Sequence, residues 1–283
     1  MNRTVTFADG TVVPAIGQGT WFMGEEAHLR RQEVTALQAG LESGLTLIDT
    51  AEMYADGGAE LVVGEALLGR RDSAFLVSKV YPWNASEVDA VEACERSLVR
   101  LNTDYLDLYL LHWRGNIPLE ETLRAMETLQ QQGKIRRWGV SNFDTDDLQE
   151  LMAEEGGKSC ATNQVLYHLA SRGIEYDLLP ECQQMNMPVM AYCPLAQAGR
   201  LRRELMEHPQ LQQIAQQKGI SRAQLLLAWA IRKDGVIAIP KASSIAHVRD
   251  NAAALNVVLT SEELALLNQA FPPPGGKQPL DVV

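Results

Sequence analysis

Short apolar runs alternate along this chain with longer segments of helical spacing. The opening departs from that rhythm. Thr4 and Thr6 lead to Asp9-Gly10 and then Thr11-Val12-Val13, and an Asp-Gly pair between two β-prone runs predicts a hairpin. After it, eight runs predict strands: Ala15–Thr20, Thr46–Asp49, Ala74–Lys79, Tyr105–His112, Ile135–Ser141, Cys160–Gln164, Pro188–Tyr192 and Gly235–Ile239. Near-continuous apolar runs of this kind belong to parallel strands buried on both faces.

Between them, Glu87–Leu101 brings Val88, Val91, Leu98 and Leu101 towards one face, with Ser86 as the expected N-cap. In Leu119–Gln132 the residues Leu119, Leu123, Met126 and Leu129 recur at helical spacing, and Gly133 closes the segment. Asp144 is expected to cap a helix running to about Glu155, and Ser221 one running to about Lys233. Ser261 is expected to cap Glu262–Ala270, which Pro272-Pro273-Pro274 must end. Thr260-Ser261-Glu262-Glu263 also satisfies a capping-box pattern.

Eight strand–helix alternations without a long linker predict one domain over 1–283 of the α/β class. The expected form is a single (β/α)8 TIM barrel with an N-terminal β-hairpin and a short C-terminal tail. That tail, from Phe271, is expected to be an extended or mobile segment over the barrel. Gly17-Gln18-Gly19 is the nearest approach to Gly-x-Gly-x-x-Gly, and the hairpin precedes it, so a Rossmann fingerprint is not supported.

Composition narrows the partners. At 283 residues and 46% apolar content the chain suits one barrel with a sizeable core. A net charge of −11 disfavours nucleic acid and anionic membrane, so an anionic ligand would need a local positive pocket. Cys94, Cys160, Cys182 and Cys193 show neither a C-x-x-C pair nor metal-ligand spacing, which predicts a reduced protein without a metal. The first ten residues carry no apolar h-region, and no run approaches the ~18 apolar residues of a membrane helix. A cytoplasmic location is expected.

Asp49, Lys79 and His112 each end one of the apolar runs, and Tyr54 follows Asp49 by a short loop. Catalytic groups in a parallel barrel come from the C-terminal ends of several strands. Singly, a strand-end lysine is an ordinary snorkelling charge and a loop tyrosine merely packs; their shared placement joins them. A free tyrosine has a pKa of about 10, and a cation beside it stabilises the phenolate. Lys79 can supply that cation, Asp49 can hold it, and His112 can donate to a developing oxyanion. Such a set suits protonation of a carbonyl oxygen as hydride arrives at carbon.

The segments GLTLIDTAEMYADGGAE (44–60), VSKV (77–80), LDLYLLHW (106–113), METLQQQGKIRRWGVSNF (126–143) and IPK (239–241) resemble, in order, motifs of the aldo-keto reductase family. The resemblance covers essentially the whole chain. It implies an enzyme using NADPH/NADP+, with Tyr54 as proton donor assisted by Asp49, Lys79 and His112. Leu195-Ala196-Gln197-Ala198-Gly199 and the short tail resemble bacterial members that reduce methylglyoxal and other small aldehydes.

Cofactor positions follow from the same resemblance. Ser141, Asn142 and Gln164 end their strands with groups able to hold a carboxamide, and Tyr192 offers an aromatic face to the nicotinamide. Thr20 and Asp49 belong to the same implied set. The loop from Cys193 through Leu195 and Gln197 is implied at the pyrophosphate, with Cys193 an inert small residue. Lys241, before a helix that starts near Ser244, makes a phosphate site. The resemblance places Lys241, Ser243 and His247 at the 2′-phosphate and Asn251 near the adenine. Two residues depart from the family pattern: Ala242 stands where Ser or Thr is usual, and His247 where arginine is usual. Histidine is only partly charged at neutral pH and grips phosphate less firmly than arginine. NADPH preference is therefore expected to be weaker than usual, with Arg249 facing differently.

On the substrate side, Trp21, Tyr81 (or Trp83), His112 and Trp113 are expected to wall a carbonyl pocket. The short tail predicts an open mouth and broad specificity. The alternatives are reduction of sugar-derived diketo acids, with Arg114 attracting a carboxylate, and a slow-turnover nucleotide-sensing regulatory subunit. A monomer acting on small carbonyl compounds is expected.

Overall fold

A computed structural model describes residues 3–283. Strands β1 (Thr4–Thr6) and β2 (Val12–Pro14) form the antiparallel hairpin, pairing Val5 with Val13. Gly10, at φ +87°, makes the turn that only a residue without Cβ adopts freely. Val5, Phe7 and Val13 are buried, and the Phe7 ring stacks on Phe75 at 5.4 Å. Arg137 ties the hairpin down by donating to Asp9, to Thr11 Oγ1 and to the Asp107 carbonyl, each at 2.9 Å. The hairpin thus caps the N-terminal end of the strands.

Eight parallel strands follow in chain order: β3 (Gln18–Gly19), β4 (Leu47–Asp49), β5 (Phe75–Val80), β6 (Leu106–Leu111), β7 (Ile135–Ser141), β8 (Asn163–Leu166), β9 (Val189–Tyr192) and β10 (Val236–Ala238). The first and last join. Gly17 N–H donates to the Ala238 carbonyl at 2.8 Å, Ala238 N–H to Ala15 at 2.8 Å, and Gly19 N–H to Pro240 at 3.0 Å. A Cβ on Gly19 would lie 2.7 Å from the Ile239 carbonyl oxygen, so glycine permits this seam. All eight predicted runs carry their strand; the first and the sixth each begin three residues later than expected, at Gln18 and Asn163.

Among the described residues the helices are α1 (Arg30–Glu42), α2 (Gly58–Ala66), α3 (Asp89–Leu101), α4 (Leu119–Gln131), α5 (Thr145–Ala153), α6 (Leu178–Gln184), α7 (Arg200–Met206), α8 (Pro209–Lys218), α9 (Arg222–Ala230), α10 (Ile245–Ala253) and α11 (Ser261–Ala270). None is long and apolar enough to cross a membrane. Asp144 and Asp147 form a capping box on α5, as Ser221 and Gln224 do on α9. Three expectations are corrected. Thr260, not Ser261, caps α11, its hydroxyl accepting from Glu263 N–H at 3.2 Å. Helix α9 stops at Ala230 rather than near Lys233. Val88, not Ser86, is the N-cap of α3 and is 65% exposed, while Ser86 Oγ accepts from Asp89 N–H just ahead of the helix; Ala90, Ala93, Cys94 and Ser97 join Leu98 and Leu101 on the buried side.

The tail beyond α11 runs without regular structure. Arg172 donates to the Phe271 carbonyl at 2.6 Å, Lys277 bonds Asp144 and Asp177, and Ser171 bonds Asp281. Held at these points, the tail crosses the C-terminal end of the barrel as expected, and Val283 reaches the wall of the central cavity.

Candidate active site

The C-terminal ends of the strands surround a cavity of about 250 Å³. Behind its wall stands Lys79, fully buried on β5. Its Nζ donates to Asp49 Oδ2 at 2.7 Å, to the Thr50 carbonyl at 2.8 Å and to the Tyr54 hydroxyl at 3.0 Å. All three ammonium hydrogens therefore have acceptors. The second oxygen of Asp49 accepts from Gln164 Nε2 at 2.8 Å, and Thr20 Oγ1 donates to the Asp49 carbonyl at 2.9 Å. His112 closes the group, its ring 5.8 Å from that of Tyr54 and nearly perpendicular to it. The three side chains that the sequence placed at separate strand ends meet Tyr54 of the following loop.

Tyr54 opens a turn, Tyr54–Gly57, whose residues Ala55 (φ 53°), Asp56 (φ 49°) and Gly57 (φ 88°) are all left-handed. For the two residues with a Cβ this costs about 1–2 kcal/mol each. Packing holds the turn in place. A Cβ on Gly57 would lie 2.6 Å from Arg100 Cδ, so the arginine stem lies directly against it. Arg100 Nε donates to the fully buried Glu60 at 2.5 Å, and Glu60 accepts from Ser78 Oγ at 2.6 Å. Ser78 is the neighbour of Lys79. Sequence reasoning did not single out Glu60 or Arg100, although a glutamate facing inward from ELVVGEA is itself a signal that a partner is required.

Burial decides the protonation states. It pushes the Tyr54 phenol well above its ordinary pKa, and the Asp49 charge adds to the effect. The sequence argument had Lys79 lowering that pKa. In the enclosed site burial dominates, and the group stands as a phenol with its proton in place. Burial also lowers the Lys79 pKa, opposed by Asp49 through charge and hydrogen bond. His112 is held well below the usual histidine range by burial and then by the Lys79 charge, so its imidazole is neutral at pH 7. Its Nδ1 is buried without a partner among the described residues.

Thr20, Trp21, Asp49, Tyr54, His112, Trp113, Ser141, Asn142, Gln164, Tyr192, Leu195, Gln197 and Lys241 all reach the cavity. Lys79 lies behind Asp49 and Tyr54. Tyr192 donates to Asn142 Oδ1 at 2.7 Å, Asn142 Nδ2 to the His112 carbonyl at 3.1 Å, and Ser141 Oγ to the Gln164 carbonyl at 2.8 Å. Asn142, at φ 58°, uses the left-handed region that asparagine tolerates. Ser243, His247 and Asn251 do not line the cavity. They lie beyond Lys241, where Ser244 caps α10 by accepting from His247 N–H at 3.2 Å. Tyr81 does not line it either; its ring stacks on Trp83 at 4.2 Å, behind Trp113. Arg114 is committed elsewhere, with Nε and an Nη on the two oxygens of Glu150 at 3.2 and 2.9 Å, and offers no charge to the pocket. The sequence reading missed Phe22, Met53, Val283 and the half-buried Arg202 of α7. Arg202 and Lys241 supply the local positive charge that the acidic chain lacks overall.

The polar amides, the flat Tyr192 ring and the cations Arg202 and Lys241 line the same cavity. That combination suits a ligand with an aromatic carboxamide and phosphates. A model of the Aldo/keto reductase family matches residues 15–271, and the chain belongs to that family. Methylglyoxal reductase YeaE of Escherichia coli is 65% identical over 281 residues, 99% of each chain. Glyoxal reductase of Bacillus subtilis is 33% identical over 267 residues, 93% of this chain and 91% of that one. A crystal structure of an aldo/keto reductase from Klebsiella pneumoniae in complex with NADP and acetate matches with a TM-score of 0.98 at 64% identity, covering 100% of both chains.

Proposed function

We propose that this protein reduces small aldehydes and ketones of the methylglyoxal kind to alcohols with NADPH, Tyr54 supplying the proton. The observation that carries the reading is the Lys79 ammonium held between Asp49 and the Tyr54 hydroxyl, at 2.7 and 3.0 Å, with no access to water. NADPH, when bound, supplies the hydride. The residues do the rest. Ser141, Asn142 and Gln164 are placed to orient the carboxamide, Tyr192 to support the ring, and Leu195, Gln197, Arg202 and Lys241 to hold the phosphates. Ser243, His247 and Asn251 are proposed for the adenosine end beyond Lys241.

Trp21, Trp113 and His112 leave room for a small carbonyl compound whose oxygen meets the Tyr54 hydroxyl. As the phenol gives up its proton, Lys79 stands where the phenolate charge develops, an interaction that strengthens towards the transition state. Neutral His112 can share a hydrogen bond with the carbonyl oxygen without adding a competing charge. One chain over 1–283 carries the complete site, consistent with a monomer. A protein with four free cysteines suits the reducing cytoplasm.

In Tyr54→Phe, carbonyl-dependent loss of NADPH absorbance should fall by about 10²–10⁴-fold, the usual weight of general acid catalysis. NADPH binding, followed by fluorescence titration, should persist. Retained turnover would refute the reading. The regulatory alternative is disfavoured because all four groups are intact, with Asp49, Lys79 and Tyr54 hydrogen-bonded together and the His112 ring 5.8 Å from that of Tyr54. The diketo-acid alternative loses its cation to Glu150.

A further inference from the structure

Glu52 stands between Asp49 and Tyr54, only 7% exposed, yet it neither lines the cavity nor joins the four groups above. Its Oε1 accepts from the Tyr81 backbone N–H at 2.8 Å and from Asn84 Nδ2 at 3.1 Å. No lysine, arginine or histidine pairs with it among the described residues. A buried carboxylate held only by neutral donors is a costly way to gain stability. What it does join are two loops: its own, which carries the proton donor, and the Tyr81–Asn84 loop after β5.

The second loop supports the substrate wall. Tyr81 stacks on Trp83, and Trp113 meets both edge-on, at 6.2 and 5.6 Å between ring centres. A Cβ on Gly115 would lie 2.5 Å from Pro82 Cβ, so the Trp113–Gly115 segment rests directly on this loop. Trp113 lines the cavity and lies 5.1 Å from the His112 ring. An unbroken series of contacts therefore runs from Glu52 through Tyr81, Pro82 and Trp83 to the wall beside the reacting oxygen.

We propose that Glu52 is a positioning residue that fixes the place of Trp113 relative to Tyr54 and so sets the size of carbonyl substituent accepted. The inference rests on the carbonyl-reductase reading above. Its mode of action is the paired acceptor geometry of one oxygen, which glutamine can reproduce and alanine cannot.

The test uses the full-length enzyme with NADPH and two aldehydes, methylglyoxal and phenylglyoxal. In Glu52→Ala the ratio of their kcat/KM values should shift by about fivefold or more, the loss of a charge-assisted hydrogen bond. The shift should lie in KM, with NADPH Kd within about twofold and tryptophan emission altered through Trp83 and Trp113. Glu52→Gln should restore the ratio to within about twofold, and in a Trp113→Ala background Glu52→Ala should have no further effect on it. If Glu52→Ala does not fold, Asn84→Ala, which removes one of the two donors, should shift the ratio in the same direction. An unchanged ratio overturns the proposal, as does a Glu52→Gln variant as impaired as Glu52→Ala or a parallel loss of NADPH affinity. Failure of the unsubstituted protein to oxidise NADPH with either aldehyde would instead sink the functional reading.

Discussion

Replacing Lys79 by methionine removes the ammonium while keeping most of the stem's volume. Asp49, 1% exposed, would then keep a buried negative charge answered only by Gln164 Nε2 at 2.8 Å. Breaking a buried ion pair by deleting one partner costs about 3–5 kcal/mol. For a chain of this size that lowers the Tm by roughly 6–15 °C. The double variant Asp49→Asn with Lys79→Met carries no net charge at the site and should recover at least half of the lost Tm. Turnover should not recover, because the phenolate would still lack its cation, worth about 10²–10³ in kcat. Thermal melts and NADPH-consumption kinetics check both parts. A double variant less stable than Lys79→Met alone would refute the ion-pair argument. A single variant within about tenfold of normal kcat would refute the role of the ammonium in proton donation.

Acid should destabilise the fold through buried histidine. Burial holds His168, 1% exposed, at a pKa of about 4, whereas the unfolded chain binds that proton near 6.5. The unfolded state therefore gains protons first, and about 3 kcal/mol of stability should be lost as pH falls from about 6.5 to about 4; His168→Gln should flatten this part of a denaturant-midpoint profile, and an unchanged slope would contradict it. Gly57→Ala places a Cβ against Arg100 at φ +88° and should lower kcat with NADPH Kd retained, so unimpaired turnover would show that the left-handed turn does not position Tyr54. Lys241→Ala and Arg202→Ala should each weaken NADPH about 10-fold by titration, the loss of a charge-assisted contact; only Lys241→Ala should narrow the gap between NADPH and NADH.

The barrel was legible because parallel strands buried on both faces are written as apolar runs, and the four-residue cluster because three of its members end such runs and Tyr54 follows one by a short loop. Helices with strong caps or a regular stripe were equally plain, α4, α5 and α9 among them. What escaped had physical reasons. Helix α2 begins Gly58-Ala59 after a glycine turn, and α6 contains Pro180, so neither announces itself by propensity. The short α7, carrying Arg202, follows the flexible Gly199 (φ 127°) and has no side-chain cap. The direction of the Tyr54 pKa shift was not legible because a sequence shows which charges are present but not how completely water is excluded around them. Tyr81 and Arg114 do not line the cavity, for a related reason. Proximity in the chain to a strand end does not tell which neighbour a side chain will find, here Trp83 for Tyr81 and Glu150 for Arg114.

The hairpin that stacks Phe7 on Phe75 gives the molecule two faces with separate duties. Everything that touches nucleotide or carbonyl sits at the far rim, a full strand length away from this plug. Improvements in robustness can therefore be sought around Val5, Val13 and the Arg137 tie without retuning the chemistry, and variation near Trp113 can be explored on a barrel already sealed from below.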